Sequence, residues 1–239
     1  MPFEERRTST RTRIVQIGAK LFIEEGYSKS SFSRIAKELD ISLGNITFYF
    51  PTKEHLLAVL CNELCAFQRE LMEKETGEGY STLLSYCLEL TSMTAICEED
   101  PVASDFFRAI YTSPLSLDII RDNDTEKTRA VFGSYRPEWS EGKWIEAENL
   151  VSGIEYGTIM TRESRTPLHL QIEGGLDTIL TLYGVPEEVR RAKIEKVLSM
   201  DYRALGRRLL GEFKEYIEKT NEEALQKAKS RRARNPWRE

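Results

Sequence analysis

Residues 42–57 read SLGNITFYFPTKEHLL, and their side chains suit one kind of chemistry. The Asn45 amide can both donate to and accept from a base edge, and a bidentate contact to adenine is its best-known use. Leu43 and Thr47 carry methyl groups that can touch a thymine methyl. Gly44 lets a helix backbone come close to a duplex. Tyr49 offers a hydroxyl and Lys53 an ammonium, both suited to phosphate oxygens, and Ser30 and Ser31 offer the same chemistry at another helix start. Enzyme chemistry has far less to work with. The two histidines, His55 and His169, stand apart in the sequence, and there is neither a G-x-S-x-G nor a phosphate-binding glycine loop. Cys61 and Cys65 could act as thiol sensors or, with His55, as part of a metal site, but that trio lacks a fourth ligand at sensible spacing. Inert buried cysteines are the simpler reading. No catalytic residue, metal or cofactor is expected.

These side chains need short, accurately placed helices. Ile14, Ile17, Leu21 and Phe22 recur at helical spacing, and Gly26 ends the run, which predicts a helix over about 9–25. Ser30 or Ser31 caps a second helix with Phe32, Ile35, Ala36 and Leu39 on one side. Asp40-Ile41-Ser42 makes a tight turn, and Ser42 caps a third helix of about 43–49. Ile46, Phe48 and Phe50 are assigned to the core. Two short helices joined by such a turn form a helix-turn-helix, whose second helix enters the DNA major groove. After Pro51, Thr52 caps a fourth helix running to about residue 74. Further helices are expected at about 80–98, 102–111, 115–133, 142–163, 168–183 and 187–226, with Pro101, Pro114, Pro137, Pro167 and Pro186 between them. The chain reads as all-α: an N-terminal three-helix DNA-binding domain (1–58, with helix 4 continuing to about 75 as a connector) and a larger helical ligand-binding and dimerisation domain (76–226). A basic tail (227–239) is expected to be disordered.

Charge is distributed to match. The chain of 239 residues has net charge −5, but residues 1–60 carry +2, residues 61–226 carry −12 and residues 227–239 carry +5. Basic ends on an acidic body allow contact with a polyanion without general stickiness. No apolar run approaches the ~20 residues that span a bilayer, and the N-terminus lacks a secretory signal's apolar stretch. A cytoplasmic protein with no membrane partner is expected.

Residues 9–58 resemble the DNA-binding domain of the TetR family of transcriptional regulators. The stretches that carry the likeness are AKLFIEEGY (19–27), SFSRIAKELDIS (31–42) and LGNITFYFPTKEHLL (43–57). They reproduce a helix ending in glycine and an aromatic, a helix-turn-helix, and an aromatic followed by x-x-Lys-x-x-Leu (Phe50 to Leu56). The resemblance places the phosphate-contacting lysine at Lys53 and the recognition-helix readers at Leu43, Gly44, Asn45, Thr47 and Tyr49. Asp40 stands where the family usually has glycine, and it tolerates a left-handed conformation better than most residues. Thr47 stands where the family usually has tyrosine, so Tyr49 is expected to take part of that phosphate role.

The resemblance further implies a homodimer on a palindromic double-stranded DNA operator, formed through the last two helices as a four-helix bundle. It also implies a small-molecule effector that releases the DNA, as in a repressor. Leu176, Ile179, Leu180 and Tyr183 in one helix and Leu205, Leu209 and Phe213 in the last are the candidate interface. Phe106, Phe107 and Tyr111 on one helix, with Trp144, Tyr156 and Met160 on another, could wall an effector pocket. Core packing is the competing reading for both sets. Glu89, Asp105, Glu148 and Glu155 could select a cationic effector, although an acidic solvated face is the commoner arrangement. Two alternatives stay open: a regulator whose second domain binds a protein, and a helical enzyme.

Overall fold

A computed structural model describes residues 9–77, 82–160 and 166–220. The described residues form eleven α-helices and no strand: α1 (Thr10–Glu24), α2 (Phe32–Leu39), α3 (Leu43–Tyr49), α4 (Lys53–Thr76), α5 (Leu83–Glu99), α6 (Pro101–Thr112), α7 (Pro114–Phe132), α8 (Glu141–Ile159), α9 (Leu168–Leu182), α10 (Glu187–Leu198) and α11 (Tyr202–Lys219). Local chemistry sets their ends. Ser9, Ser31, Ser42 and Thr82 accept from backbone N–H groups at the starts of α1, α2, α3 and α5, each meeting a donor the helix itself leaves free. Pro101 and Pro114 open α6 and α7, where a missing N–H costs nothing. None of the described helices is long and apolar enough to cross a membrane. The basic tail expected at 227–239 lies outside the described residues.

The expected single helix over 187–226 is corrected to two. It stops at Ser199, and Asp201 caps α11 by accepting from Ala204 N at 3.0 Å. Periodicity on both sides masked a break of three residues whose signal is that local cap.

Helix α5 is the axle of the fold. Fourteen of its seventeen residues are buried, as expected of a helix surrounded on all sides, and α4, α6, α7, α8, α9, α10 and α11 all pack against it. Its buried Thr91 and Thr94 hydroxyls donate to their own helix, to Cys87 O and Leu90 O, which removes an otherwise costly unmet donor. Gly206 lets α11 approach closely: a Cβ there would lie 2.7 Å from Ser92 O of α5. The N-terminal helices are tied to this bundle. Gln16 Nε2 of α1 donates to Glu218 O at 3.0 Å, and Lys214 of α11 pairs with Glu24 of α1 at 2.7 Å.

This packing corrects the expected dimer interface. Leu176, Ile179, Leu180, Tyr183, Leu205, Leu209 and Phe213 are all buried within the single chain. Phe213 packs on Phe67 of α4, and Tyr183 stacks on Phe132 of α7 with ring centroids 4.2 Å apart. Helical periodicity marks a face as covered without saying what covers it, and here the chain's own helices do so.

Candidate nucleic-acid interface

Helices α2 and α3 form the helix-turn-helix. Asp40 closes α2 with φ 52° and ψ 49°, the left-handed conformation that Asp and Asn tolerate. Ser42 then accepts from Asn45 N at 3.2 Å and starts α3. In α3 only Ile46 is buried, with Phe50 just beyond its end. These two are four apart and form one inward row. Everything else faces out: Leu43 is 48% exposed, Tyr49 38% and Phe48 79%.

Phe48 therefore leaves the core to which the sequence assigned it. It lies two residues from Ile46, which turns it about 200° around the helix, and it meets Tyr49 edge-on at 5.1 Å. That angle was the signal available in the sequence. The remaining face is shaped for close approach. A Cβ on Gly44 would meet only Ser42 Oγ, at 3.7 Å. Asn45 is exposed, and its side-chain amide makes no hydrogen bond among the described residues. The Thr47 hydroxyl donates back to Leu43 O and Gly44 O at 3.3 and 3.2 Å, leaving its methyl as the outward group.

The phosphate candidates divide. Ser31 caps α2, accepting from Arg34 N at 3.2 Å, and stays exposed. Ser30 is a correction: it is buried, and its hydroxyl donates to Gly26 O at 2.7 Å, so it cannot also reach a phosphate. Lys53 serves the turn before α2, donating to Tyr27 O at 2.9 Å and Ser30 O at 3.0 Å while lying 3.8 Å from the centre of the Tyr27 ring. An ammonium has three donors, so one N–H remains for an anion. Burial lowers the Lys53 pKa, and the charges of Glu54 and Asp105 partly restore it. Lys29 and Lys37, absent from the candidate set, are also exposed beside this surface.

The same turn is held from behind. Asp105 of α6 accepts from Ser28 N at 2.7 Å and from the Ser28 hydroxyl. Gly26 allows this with φ 98°, where a Cβ would lie 2.9 Å from Asp105 Oδ2. Asp105 is thus a latch between α6 and the N-terminal helices, not a wall of an effector pocket.

The pocket candidates also separate. Phe106 and Phe107 are fully packed core, and Trp144 sits with Trp139 and Tyr183 at ring distances of 4.9 and 5.9 Å. Tyr111 lies 6.3 Å from the exposed Tyr156, and Met160 is partly buried at the end of α8. Glu148 and Glu155, expected either to select a cationic effector or, more commonly, to form a solvated face, are buried and bonded to hydroxyls, so the solvated face is ruled out.

Residues 14–60 match the family described as bacterial regulatory proteins, tetR family. The chain is 39% identical over 80 residues to the HTH-type transcriptional regulator YuxN of Bacillus subtilis (strain 168); the match spans 33% of this chain and 27% of that protein. A gamma-butyrolactone receptor, an ArpA-like protein, aligns over 84% of this chain and 96% of its own with 20% identity and a TM-score of 0.44. The TetR family protein CprB from S. coelicolor A3(2) aligns over the same shares with 20% identity and a TM-score of 0.42. With its glycine-aromatic helix end and its capped helix-turn-helix, the N-terminal segment 14–60 is similar to the tetR family of bacterial regulatory proteins whose pattern it matches.

Proposed function

We propose that the chain acts as a homodimeric repressor that binds a palindromic double-stranded DNA operator and is released by a small-molecule effector. The observation that carries this reading is the outer face of α3, where Leu43, Gly44, Asn45, the Thr47 methyl and Phe48 lie open with no intramolecular role in packing. Leu43, Gly44, Asn45 and Thr47 read bases, while Ser31, Tyr49 and the third N–H of Lys53 meet phosphates.

Pairing is assigned to the outer faces of α8 and α9. Ile145, Leu150 and Leu170 are exposed there, and Gly153, Gly157 and Gly174 leave space in which an added Cβ would meet nothing within 4 Å. Small residues between apolar ones let a second pair of helices approach closely, and a twofold axis makes such a face self-complementary. The dimer then sets two α3 helices about one DNA turn apart, roughly 34–36 Å. An effector that binds the DNA-incompetent arrangement more tightly would shift that spacing, with Asp105 transmitting the movement to the turn before α2.

Selection of bound sequences from random duplex DNA tests the reading. A palindrome with half-sites one turn apart is the expected result. Recovery of single half-sites removes the dimer, and recovery of no preferred sequence removes operator recognition.

A further inference from the structure

The helices behind the DNA-facing unit enclose an uneven charge balance. Glu89 on α5, Asp124 on α7, and Glu148 and Glu155 on α8 interact around one ammonium, Lys127 on α7. Lys127 pairs with Glu89, and its Nζ lies 5.3 Å from the centre of the Tyr86 ring. Hydroxyls meet the two α8 carboxylates. Thr128 Oγ1 donates to Glu148 Oε1 at 2.7 Å, and Tyr183 Oη donates to the same oxygen. Tyr86 Oη donates to Glu155 Oε1 at 3.2 Å, and Tyr111 Oη donates to Oε2 at 3.1 Å. The Asp124 carboxylate accepts no hydrogen bond among the described residues; Lys127 and Arg69 act on it only through their charge.

Two further observations point to an occupant. Asp124 and Cys65 lie deep among the helices and yet keep accessible surface. That surface leaves the Asp124 carboxylate open to approach near where α4 packs on α7. Gln68 supplies the second. It follows Cys61 by seven residues and Cys65 by three, which keeps it on the α7-facing side of α4; Cys61 Sγ donates to Ser116 O of α7 at 3.7 Å, and Cys65 feels the charge of Asp124. Gln68 is 4% exposed, and its amide nitrogen has no hydrogen-bond partner. Burying an amide donor unmet is costly unless a partner arrives to meet it.

We infer that this carboxylate cluster binds an organic cation, an amine or quaternary ammonium, with Asp124 and Glu155 as its anionic partners and the Tyr86 and Tyr111 rings beside its charge. The inference rests on the effector-responsive reading and names the effector's class. No described group of three His, Cys, Asp or Glu residues is arranged to hold a metal ion, and tyrosine faces attract ammonium groups in preference to anions. Burial pushes Asp124 up to about 7 and raises Glu148 and Glu155 as well. Without a ligand the cluster sheds excess negative charge by holding protons, and a bound cation displaces them.

Calorimetry of the full-length protein at pH 6.5 tests this, using spermidine, benzyltrimethylammonium and tetraphenylphosphonium against the anionic tetraphenylborate and neutral benzyl alcohol. At least one cation is expected to bind stoichiometrically and to release protons, seen as a heat that changes with the buffer's ionisation enthalpy. The two controls are expected not to bind. Asp124→Asn is expected to weaken the cation at least tenfold, and Glu155→Gln to do the same, with circular dichroism showing that each variant is folded. Absence of binding by every cation, unchanged affinity in both variants, or tighter binding of tetraphenylborate than of tetraphenylphosphonium overturns the inference. Affinity for a selected operator is read separately. A cation that binds without changing DNA affinity keeps the site and removes the effector role. A neutral compound that releases DNA while no cation binds removes the site and keeps that role.

Discussion

Phe48 places a phenyl ring 79% exposed on the outward face of the short helix α3. An apolar ring so placed gains nothing from the core and suits the thymine methyl and groove edges. Phe48→Ala should leave unfolding free energy within about 0.5 kcal/mol, as for other exposed positions, while weakening the selected operator. A loss of stability beyond that would return the ring to the core. Asn45→Ala should cost about 1–3 kcal/mol on the selected site and little on random duplex, measured by titration on both. Lys53 has a double role. Its bonds to Tyr27 O and Ser30 O involve a charged donor, so Lys53→Ala should lower stability by about 1.5–3 kcal/mol. It should also reduce the salt dependence of DNA binding by about one phosphate contact. A stability loss with an unchanged salt slope would leave Lys53 a purely structural residue. Much at this scale was readable beforehand. Asp40 in the left-handed turn and Ser42 as a cap follow from chemistry within three residues. The direction of Phe48 was also in the spacing, but aromatic character outweighed angle. The inward turn of Lys53 was not legible, because its partners lie 26 and 23 residues away.

Among the elements, α6 and the turn between α1 and α2 form a join between the N-terminal helices and the bundle, on which the proposed signal would act. Asp105 holds both polar groups of Ser28, beside a glycine whose φ of 98° disfavours any side chain. Asp105→Ala should destabilise the protein by about 1–3 kcal/mol, the cost of leaving such donors unmet, measured by chemical denaturation. It should also speed amide exchange over residues 26–31 relative to α5. Equal exchange in the two proteins would mean that the latch does not order the turn. The elements themselves were largely legible. Prolines at the starts of α6 and α7 and glycine after α1 act locally. The division between α10 and α11 was missed because Ile194, Val197, Leu205 and Leu209 keep a helical rhythm across it, although Asp201 supplied a capping signal.

For the whole molecule, charge and assembly set the testable consequences. Asp124 has a folded pKa of about 7, above its ordinary value of 3.8. The folded state therefore holds a proton that the unfolded chain has released between those values. Its contribution to stability is fully present below pH 3.8 and is lost as pH rises through 7. Asp124→Asn removes that loss, so the variant should melt higher than the parent above pH 7, with the gap closing toward pH 4. A gap independent of pH would exclude the raised carboxyl as its cause. Assembly is tested on α8: Leu150, 55% exposed, changed to Glu should give a folded monomer in sedimentation. A persistent dimer would move the interface off the α8 and α9 faces.

The sequence by itself determined the helices, their caps and the helix-turn-helix, because capping side chains, glycines, prolines and the repeat of apolar residues act over a few positions. Only the tertiary structure decided what each covered face meets. Leu205, Leu209 and Phe213 have the same periodicity whether a partner or their own chain covers them, and α5 and α4 lie distant in sequence. The same holds for Glu148 and Glu155, whose burial depends on Thr128, Tyr183, Tyr86 and Tyr111 arriving from other helices. A carboxylate's type is written in the chain, but whether water or a hydroxyl meets it depends on which helices pack around it.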